Sequence, residues 1–179
     1  ATDVPLGDII IPESISDHPV TIQTQDEGGQ AIGGIPITIT TVLPDTAHWK
    51  NAIFMQTGNT DMDGLWTEQI LVGAHRVVAT PHTSSPWAYK AQTDWTLDAD
   101  EVNTVTLQSK VLLSGTVVAH DGTPEPQARV VTRRRWTQAH TGLTIELEYA
   151  TQSDDAGQFS LPVDPGAHAI AVVPGTLRA

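Results

Sequence analysis

SDDAGQFSLPVDPGAHAIAVVP, residues 153–174, is the stretch whose reading decides the fold. It reads as turn, strand, turn, strand. Asp154, Asp155 and Gly157 make the first turn, because Asp satisfies backbone amides locally and Gly tolerates left-handed backbone. Phe159, Leu161 and Val163 then fall on alternate positions, the period of a strand with one buried face. Pro165 and Gly166 make a second turn, and 169–173 is a second β-rich run closed by Pro174. The same pattern occurs earlier as TDMDGLWTEQILVGAHRVVATP, residues 60–81. Gly64 matches Gly157, Gly73 matches Gly166, His75 matches His168 and Pro81 matches Pro174, each pair 93 residues apart. A constant offset without a gap reads as a tandem repeat of one domain.

Working outward, the first repeat spans 18–109 and the second 110–179, with 1–17 as an N-terminal strand and linker. In the first repeat, strands are expected at 21–25, 35–42, 53–56, 65–72, 74–79, 87–90 and 101–107. In the second they are expected at 113–119, 129–135, 144–150, 158–163 and 169–173. Ile145, Leu147 and Tyr149, alternating with Glu146 and Glu148, form the clearest half-buried strand of the chain. Counterparts of Trp87 and Val105 would fall after Ala179, so the second repeat lacks the closing strand of the first. That leaves an edge open to pairing with further chain or with another molecule. The run 8–11 stands ahead of the first repeat much as 104–107 stands ahead of the second, so the N-terminus resembles the tail of a preceding unit; either the natural chain carries more upstream or 8–11 is an extra strand on the first domain.

Composition agrees with a β-rich globular chain. Of 179 residues 39% are apolar and 17% charged, which excludes an acidic disordered tail. Fourteen Gly and twelve Pro suit short strands and many turns. No window sustains a 3.6-residue apolar period, so long helices are not expected. A formal net charge of −12 repels phosphate backbones and anionic lipid, so nucleic acid is not an expected partner. No apolar run is long enough to span a membrane. The absence of Cys excludes disulfides and thiolate metal sites without deciding the compartment. Ala1 stands where an initiator Met would, so the sequence reads as a mature or excised stretch. Arg129, Arg133, Arg134 and Arg135 read first as a solvated strand edge, and second as a contact for an acidic partner.

Two segments together carry a family resemblance: SGTVVAHDGTPEPQARV (114–130) and the opening stretch. Gly115-Thr116-Val117, Asp121-Gly122-Thr123-Pro124, Ala128-Arg129-Val130, then Asp154, Gly157, Phe159 and Leu161, then Pro165-Gly166-Ala167-His168-Ala169-Ile170 follow one pattern. It resembles the carboxypeptidase regulatory-like domain, a transthyretin-like β-sandwich related in shape to collagen-adhesin B-type repeats. The match covers nearly all of the second repeat; the first is a weaker copy, with Ile22 for the opening Gly and Trp66 for Phe159. The resemblance implies an all-β chain of two small antiparallel Greek-key sandwiches, transthyretin-like, with Trp66 and Phe159 filling their centres. The matched positions are turns and core, so they specify no activity.

Candidate chemistry is sparse. His75 and His168 share a Gly-Ala-His motif, but no second ligand lies at metal spacing, so both read as strand residues. There is no Cys and no Gly-x-Ser-x-Gly nucleophile elbow. Asp61-Met62-Asp63-Gly64 starts like a calcium loop, yet Val72 stands where the distal Glu belongs, leaving only a non-standard site. Adhesin repeats of similar shape carry Lys–Asn crosslinks; Lys50, Lys90 and Lys110 lie outside the expected opening strands, so none is expected. Trp87, Tyr89 and Trp95 stand out as aromatics near loops, where exposed rings stack on sugars or anchor protein interfaces.

The expectation is therefore a non-catalytic structural or assembly module of an exported bacterial cell-surface protein, extracellular or periplasmic. It would act as a spacer or scaffold that binds protein partners or neighbouring domains through loops or edge strands. No catalytic residue, metal or cofactor is assigned. The alternatives are a glycan-binding module using Trp87, Tyr89 and Trp95, or an accessory domain of a larger enzyme.

Overall fold

The computed structural model describes residues 17–42, 53–71, 73–97, 99–137 and 144–175. The expected run at 8–11 lies outside these residues, as do His48 and Trp49. The chain is all-β, with twelve strands among the described residues. No described helix is long and apolar enough to cross a membrane.

The fold divides into two compact units. Unit 1 comprises Ala1–Gln25, Gly29–Ala79 and Ala91–Val105; unit 2 comprises Asp26–Gly28, Thr80–Lys90 and Thr106–Ala179. The strands of unit 1 are β1 (Asp17–Gln25), β2 (Pro36–Val42), β3 (Ile53–Asn59), β4 (Leu65–Leu71), β5 (Ala74–Ala79), β6 (Lys90–Trp95) and β7 (Val102–Thr106). They form two sheets, ordered β4-β1-β7 and β3-β2-β5-β6. Alternation drives the burial: Val20, Ile22 and Thr24 of β1 point inward while Thr21 and Gln23 are half-exposed. Ile22, Ile37, Ile39, Ile70 and Val77 are fully buried. Each such side chain contributes roughly 1.5–3 kcal/mol by leaving water.

Unit 2 holds β8 (Val111–Thr116), β9 (Arg129–Thr137), β10 (Thr144–Gln152), β11 (Gln158–Val163) and β12 (Ala169–Val173). Its sheets are ordered β11-β8 and β10-β9-β12. Their registers follow from those of unit 1 by adding 93 to each residue. Thr21 pairs with Thr67 as Ser114 pairs with Ser160. Thr38 pairs with Thr57 as Val131 pairs with Ala150. Thr38 pairs with Val78 as Val131 pairs with Ala171.

The turns repeat as closely as the ladders. The Asp61 carboxylate accepts from the amides of Asp63 and Leu65, both at 2.9 Å. Asp154 accepts in the same way from Ala156 at 2.9 Å and Gln158 at 2.8 Å. The Thr60 hydroxyl accepts from the Ile35 amide at 3.0 Å, and the Ser153 hydroxyl from the Ala128 amide at 2.9 Å. Gly64 and Gly157 have φ of 75° and 74°, and each carbonyl accepts at 2.8 Å, from the amides of Thr24 and Val117 respectively. Gln127, the one described non-glycine residue at positive φ, stands 93 residues after Gly34, which has φ 71°.

Several expectations change, and the strand expected at 113–119 runs Val111–Thr116. The strand expected at 87–90 is an isolated bridge from Trp87 to Ser109, and the strand proper, β6, starts at Lys90. β6 is the outer strand of its sheet, so its sequence KAQTDW carries little apolar alternation. Trp66 and Phe159 are half-buried rather than central. Each lies over a glycine, Gly58 and Gly115, where a Cβ would clash with the ring at 2.2 and 2.9 Å. Aliphatic side chains fill the centre of unit 1, and Tyr149, Leu161 and Val163 form the buried cluster of unit 2.

A Cβ at position 157 would lie 2.4 Å from the Val117 carbonyl oxygen, whereas one at Gly122, also at positive φ, meets nothing within 4 Å. Gly122→Ala is expected to cost about 1 kcal/mol from backbone conformation alone. Gly157→Ala is expected to cost about 3 kcal/mol or more, because the turn itself must shift. Denaturant unfolding of both variants checks the difference; equal costs would refute the account of this turn.

Candidate binding surface on the second unit

The core of unit 2 is lopsided. Tyr149, Leu161 and Val163 form a buried cluster with Leu113 and Leu147 packed against it, joining β10 to β11 and β8. On the other side the cover stops. In unit 1, β1 lies between β4 and β7, and β5 lies between β2 and β6. Among the described residues of unit 2, β8 pairs with β11 alone and β12 with β9 alone.

Matched positions measure the difference. Val77 on β5 is 1% exposed, and its counterpart Ile170 on β12 is 54% exposed. Ala79 is 0% exposed and its counterpart Val172 is 46%. Every residue of β12 is exposed, as are Val111 and Leu112 at the start of β8. The strands are made of core residue types, yet their apolar side chains face water, the mark of an interaction surface.

The histidines report the same gap. His75 is buried, its Nε2 lying 2.8 Å from the Leu71 carbonyl oxygen and its Nδ1 3.2 Å from that of Trp95, the last residue of β6. His168 keeps the first contact, Nε2 to the Asp164 carbonyl oxygen at 2.7 Å. Its Nδ1 is buried without a partner. The atom that β6 supplies in unit 1 has no equivalent among the described residues of unit 2.

A polar cluster lies beside the core. Asp164 is fully buried, and neither carboxylate oxygen has a hydrogen-bond partner. Burial first, and then Asp164, hold the Tyr149 phenol well above its ordinary value of 10.0, with Arg134 opposing. Burial lowers the Lys110 ammonium below its ordinary value, with Asp164 opposing. Lys110 Nζ donates to the carbonyls of Thr83 and Ser85 at 2.5 and 2.7 Å and sits 5.2 Å from the Tyr149 ring centroid. Lys110, Leu112, Tyr149, Pro162, Thr83 and Ser85 line an open cleft of about 660 Å³. Of the charged residues lining it, Lys110 is held by carbonyls and Glu148 is paired with Arg129 and Arg133.

The arginine run is neutralised locally. Arg129 and Arg133 meet Glu148 at 3.2 and 3.1 Å, and Arg133 and Arg135 meet Glu146 at 3.5 and 3.4 Å. These are exposed cross-strand pairs on β9 and β10. Arg134 points elsewhere, donating to the Pro165 carbonyl at 2.6 Å.

The three candidate aromatics differ in burial. Tyr89 is 7% exposed and buried, whereas Trp87 and Trp95 are half-buried. Trp87 and Tyr89 belong to unit 2 and Trp95 to unit 1. Asp61 and Asp154 are committed to backbone amides, and no described group of three His, Cys, Asp or Glu could hold a metal ion. Sequence reasoning missed Asp164, which in VDPG looks like one more turn aspartate. The open face was legible only as a missing counterpart.

No protein-family model and no curated protein matches the chain. Among solved structures it is similar to a streptococcal ancillary pilin, at 13% identity and TM-score 0.45 over 91% of this chain. The chain spans only 55% of that pilin's length. It is also similar to the shaft pilin SpaA from Lactobacillus rhamnosus GG, at 13% identity and TM-score 0.36 over 89% of this chain and 94% of that one. A DUF3823 family protein from Parabacteroides merdae shares 14% identity at TM-score 0.36, over 90% and 83% of the two chains.

Two outcomes follow from this geometry. Because the Tyr149 pKa is raised on folding, the stability of unit 2 is complete below the ordinary value of 10.0 and falls as pH rises beyond it, where the unfolded phenol ionises and the folded one does not. Tyr149→Phe is expected to flatten that alkaline loss, measured by denaturant midpoints across the range. An unchanged profile would sink the assignment. A double-mutant cycle on Arg133 and Glu148 is expected to give a coupling of about 0.2–1 kcal/mol that shrinks at high salt; a salt-independent coupling would contradict the exposed-pair description.

Proposed function

We propose that the chain is a non-catalytic structural module of an exported cell-surface protein: two tandem copies of one sandwich, acting as spacer and scaffold and binding protein through strand edges of the second copy. The observation that carries this reading is the uncovered β12, where Ile170 and Val172 lie open at positions whose counterparts Val77 and Ala79 are sealed. The tandem reading is supported by the shift of 93 that relates three strand ladders. Those shared positions are turns and core. What differs between the copies is the cover, and function is sought in differences. A chain of net charge −12 also stays soluble while carrying an apolar edge.

Amide hydrogen exchange on the intact chain tests the reading. β12 and the free edge of β8 are expected to exchange much faster than β5 and β1, and Val172→Lys is expected to lower binding of the dye ANS while leaving the circular dichroism unchanged. Equal protection of β5 and β12, with no dye binding, would refute an open binding edge.

A further inference from the structure

We infer that segment 82–86 is a latch over the cleft of unit 2, and that Lys110 works it by exchanging between two acceptors: the carbonyls of that segment, which it holds in this structure, and the buried carboxylate of Asp164. The device is independent of the open strand edges.

The segment is fastened to Lys110 twice. The Lys110 amide donates to the Pro86 carbonyl at 2.7 Å, next to the bridge between Trp87 and Ser109. The ammonium gathers the carbonyls of Thr83 and Ser85 at 2.5 and 2.7 Å, with that of His82 at 3.5 Å. Carbonyl oxygens that converge on one point repel each other once the cation leaves, so this part of the segment keeps its fold only while Nζ stays. Thr83, Ser84, Ser85 and Pro86 line the cleft together with Tyr149 and Leu161, two members of the buried cluster. Releasing the segment opens the way to that cluster.

Asp164 is the second acceptor. It is fully buried, and both carboxylate oxygens lack a hydrogen-bond partner. A buried carboxylate in that state is costly, and a cation beside it offsets the cost. Lys110 already feels it: burial lowers the ammonium pKa and Asp164 opposes that shift. Both groups act on Tyr149, Lys110 from 5.2 Å off the ring centroid and Asp164 through its influence on the phenol. The other charged or titratable groups around the ring are engaged elsewhere. Arg134 donates to the Pro165 carbonyl at 2.6 Å, Glu148 meets Arg129 and Arg133, and His168 lies edge-on to Tyr149 with its Nε2 on the Asp164 carbonyl.

The matched positions of unit 1 show that the frame does not require these groups. Lys110, Tyr149 and Asp164 correspond to Asp17, Gln56 and Leu71. What the frame uses at 71 and 164 is the backbone carbonyl, 2.8 Å from His75 Nε2 and 2.7 Å from His168 Nε2. The Asp164 carboxylate is therefore surplus to the fold, and a second state in which it is paired accounts for it.

Native-state amide exchange on the full chain reads the latch. The amides of Ser85, Ala88 and residue 110 donate to the carbonyls of His82, Gln108 and Pro86, and the Val117 amide, bonded to Gly157, is the reference for unfolding of unit 2 as a whole. Asp164→Leu, which installs the residue of the matched position in unit 1, removes the second acceptor. It is expected to slow the three amides about threefold or more relative to Val117, because the released state loses its partner. Lys110→Met removes the donor and is expected to speed them about tenfold, and in that background Asp164→Leu is expected to slow nothing. Asp164→Asn, which keeps the size and loses the charge, repeats the measurement if Asp164→Leu does not fold. A side chain that only supports the structure gives faster exchange when it is replaced. Unchanged or faster exchange on replacing Asp164, or slowing that persists without Lys110, would overturn the inference.

Discussion

A sandwich hides its inner face only as far as its strands extend, and every other property of this chain depends on where that cover ends. In unit 1 the sheets carry three and four strands, and β5 is sealed between β2 and β6. In unit 2 the described sheets carry two and three, and the matching strand β12 is exposed along its whole length. Residue type does not explain the contrast. Ile170 is larger and more apolar than Val77, and Val172 more so than Ala79, so the uncovered strand would bury more apolar surface than its sealed counterpart. A free edge carrying such residues is a liability for a soluble protein unless something pairs with it.

The frame that makes this comparison valid is set by turns. Asp61 and Asp154 each hold two amides of a tight turn, and Gly64 and Gly157 let the chain reverse against a carbonyl that no side chain could approach. Thr60 and Ser153 tie the turn to the neighbouring loop through their hydroxyls. These contacts are local in sequence or tied to one buried hydroxyl, so they survive wide change elsewhere. Gln127 in left-handed backbone illustrates how strongly the surroundings impose the frame: the conformation of Gly34 is kept where a side chain disfavours it.

Local chemistry of this sort is what a sequence displays best. The Asp-x-x-Gly turns and the alternation of Phe159, Leu161 and Val163 were legible, and β5, β11 and β12 have the expected bounds. β6 was not, because an outer strand needs little apolar alternation and KAQTDW shows little. The burial of Tyr89 was not legible either, since an aromatic beside a loop reads the same whether its ring faces solvent or the interior. Asp164 was hidden by its neighbours: Pro165 and Gly166 make it look like a turn residue, while its oxygens in fact sit buried beside Tyr149. The exposure of Ile170 could be reached only by asking which strand should lie beside it.

His168 carries the last step. A buried imidazole nitrogen without a partner is costly, on the order of 1–3 kcal/mol, and such atoms are scarce in folded proteins. At the matched position the Trp95 carbonyl, at the end of β6, lies 3.2 Å from Nδ1 of His75. The same side chain in the same motif therefore has a polar requirement that the described residues of unit 2 leave unmet, on the side where Ile170 and Val172 lose their cover. An apolar patch alone accepts many partners. With Nε2–H of His168 donating to the Asp164 carbonyl, Nδ1 of the neutral imidazole is an acceptor, so the partner it lacks is a donor such as a backbone N–H. Polar and apolar deficits thus fall together in unit 2 among its described residues, whereas the matched positions of unit 1 are satisfied and sealed.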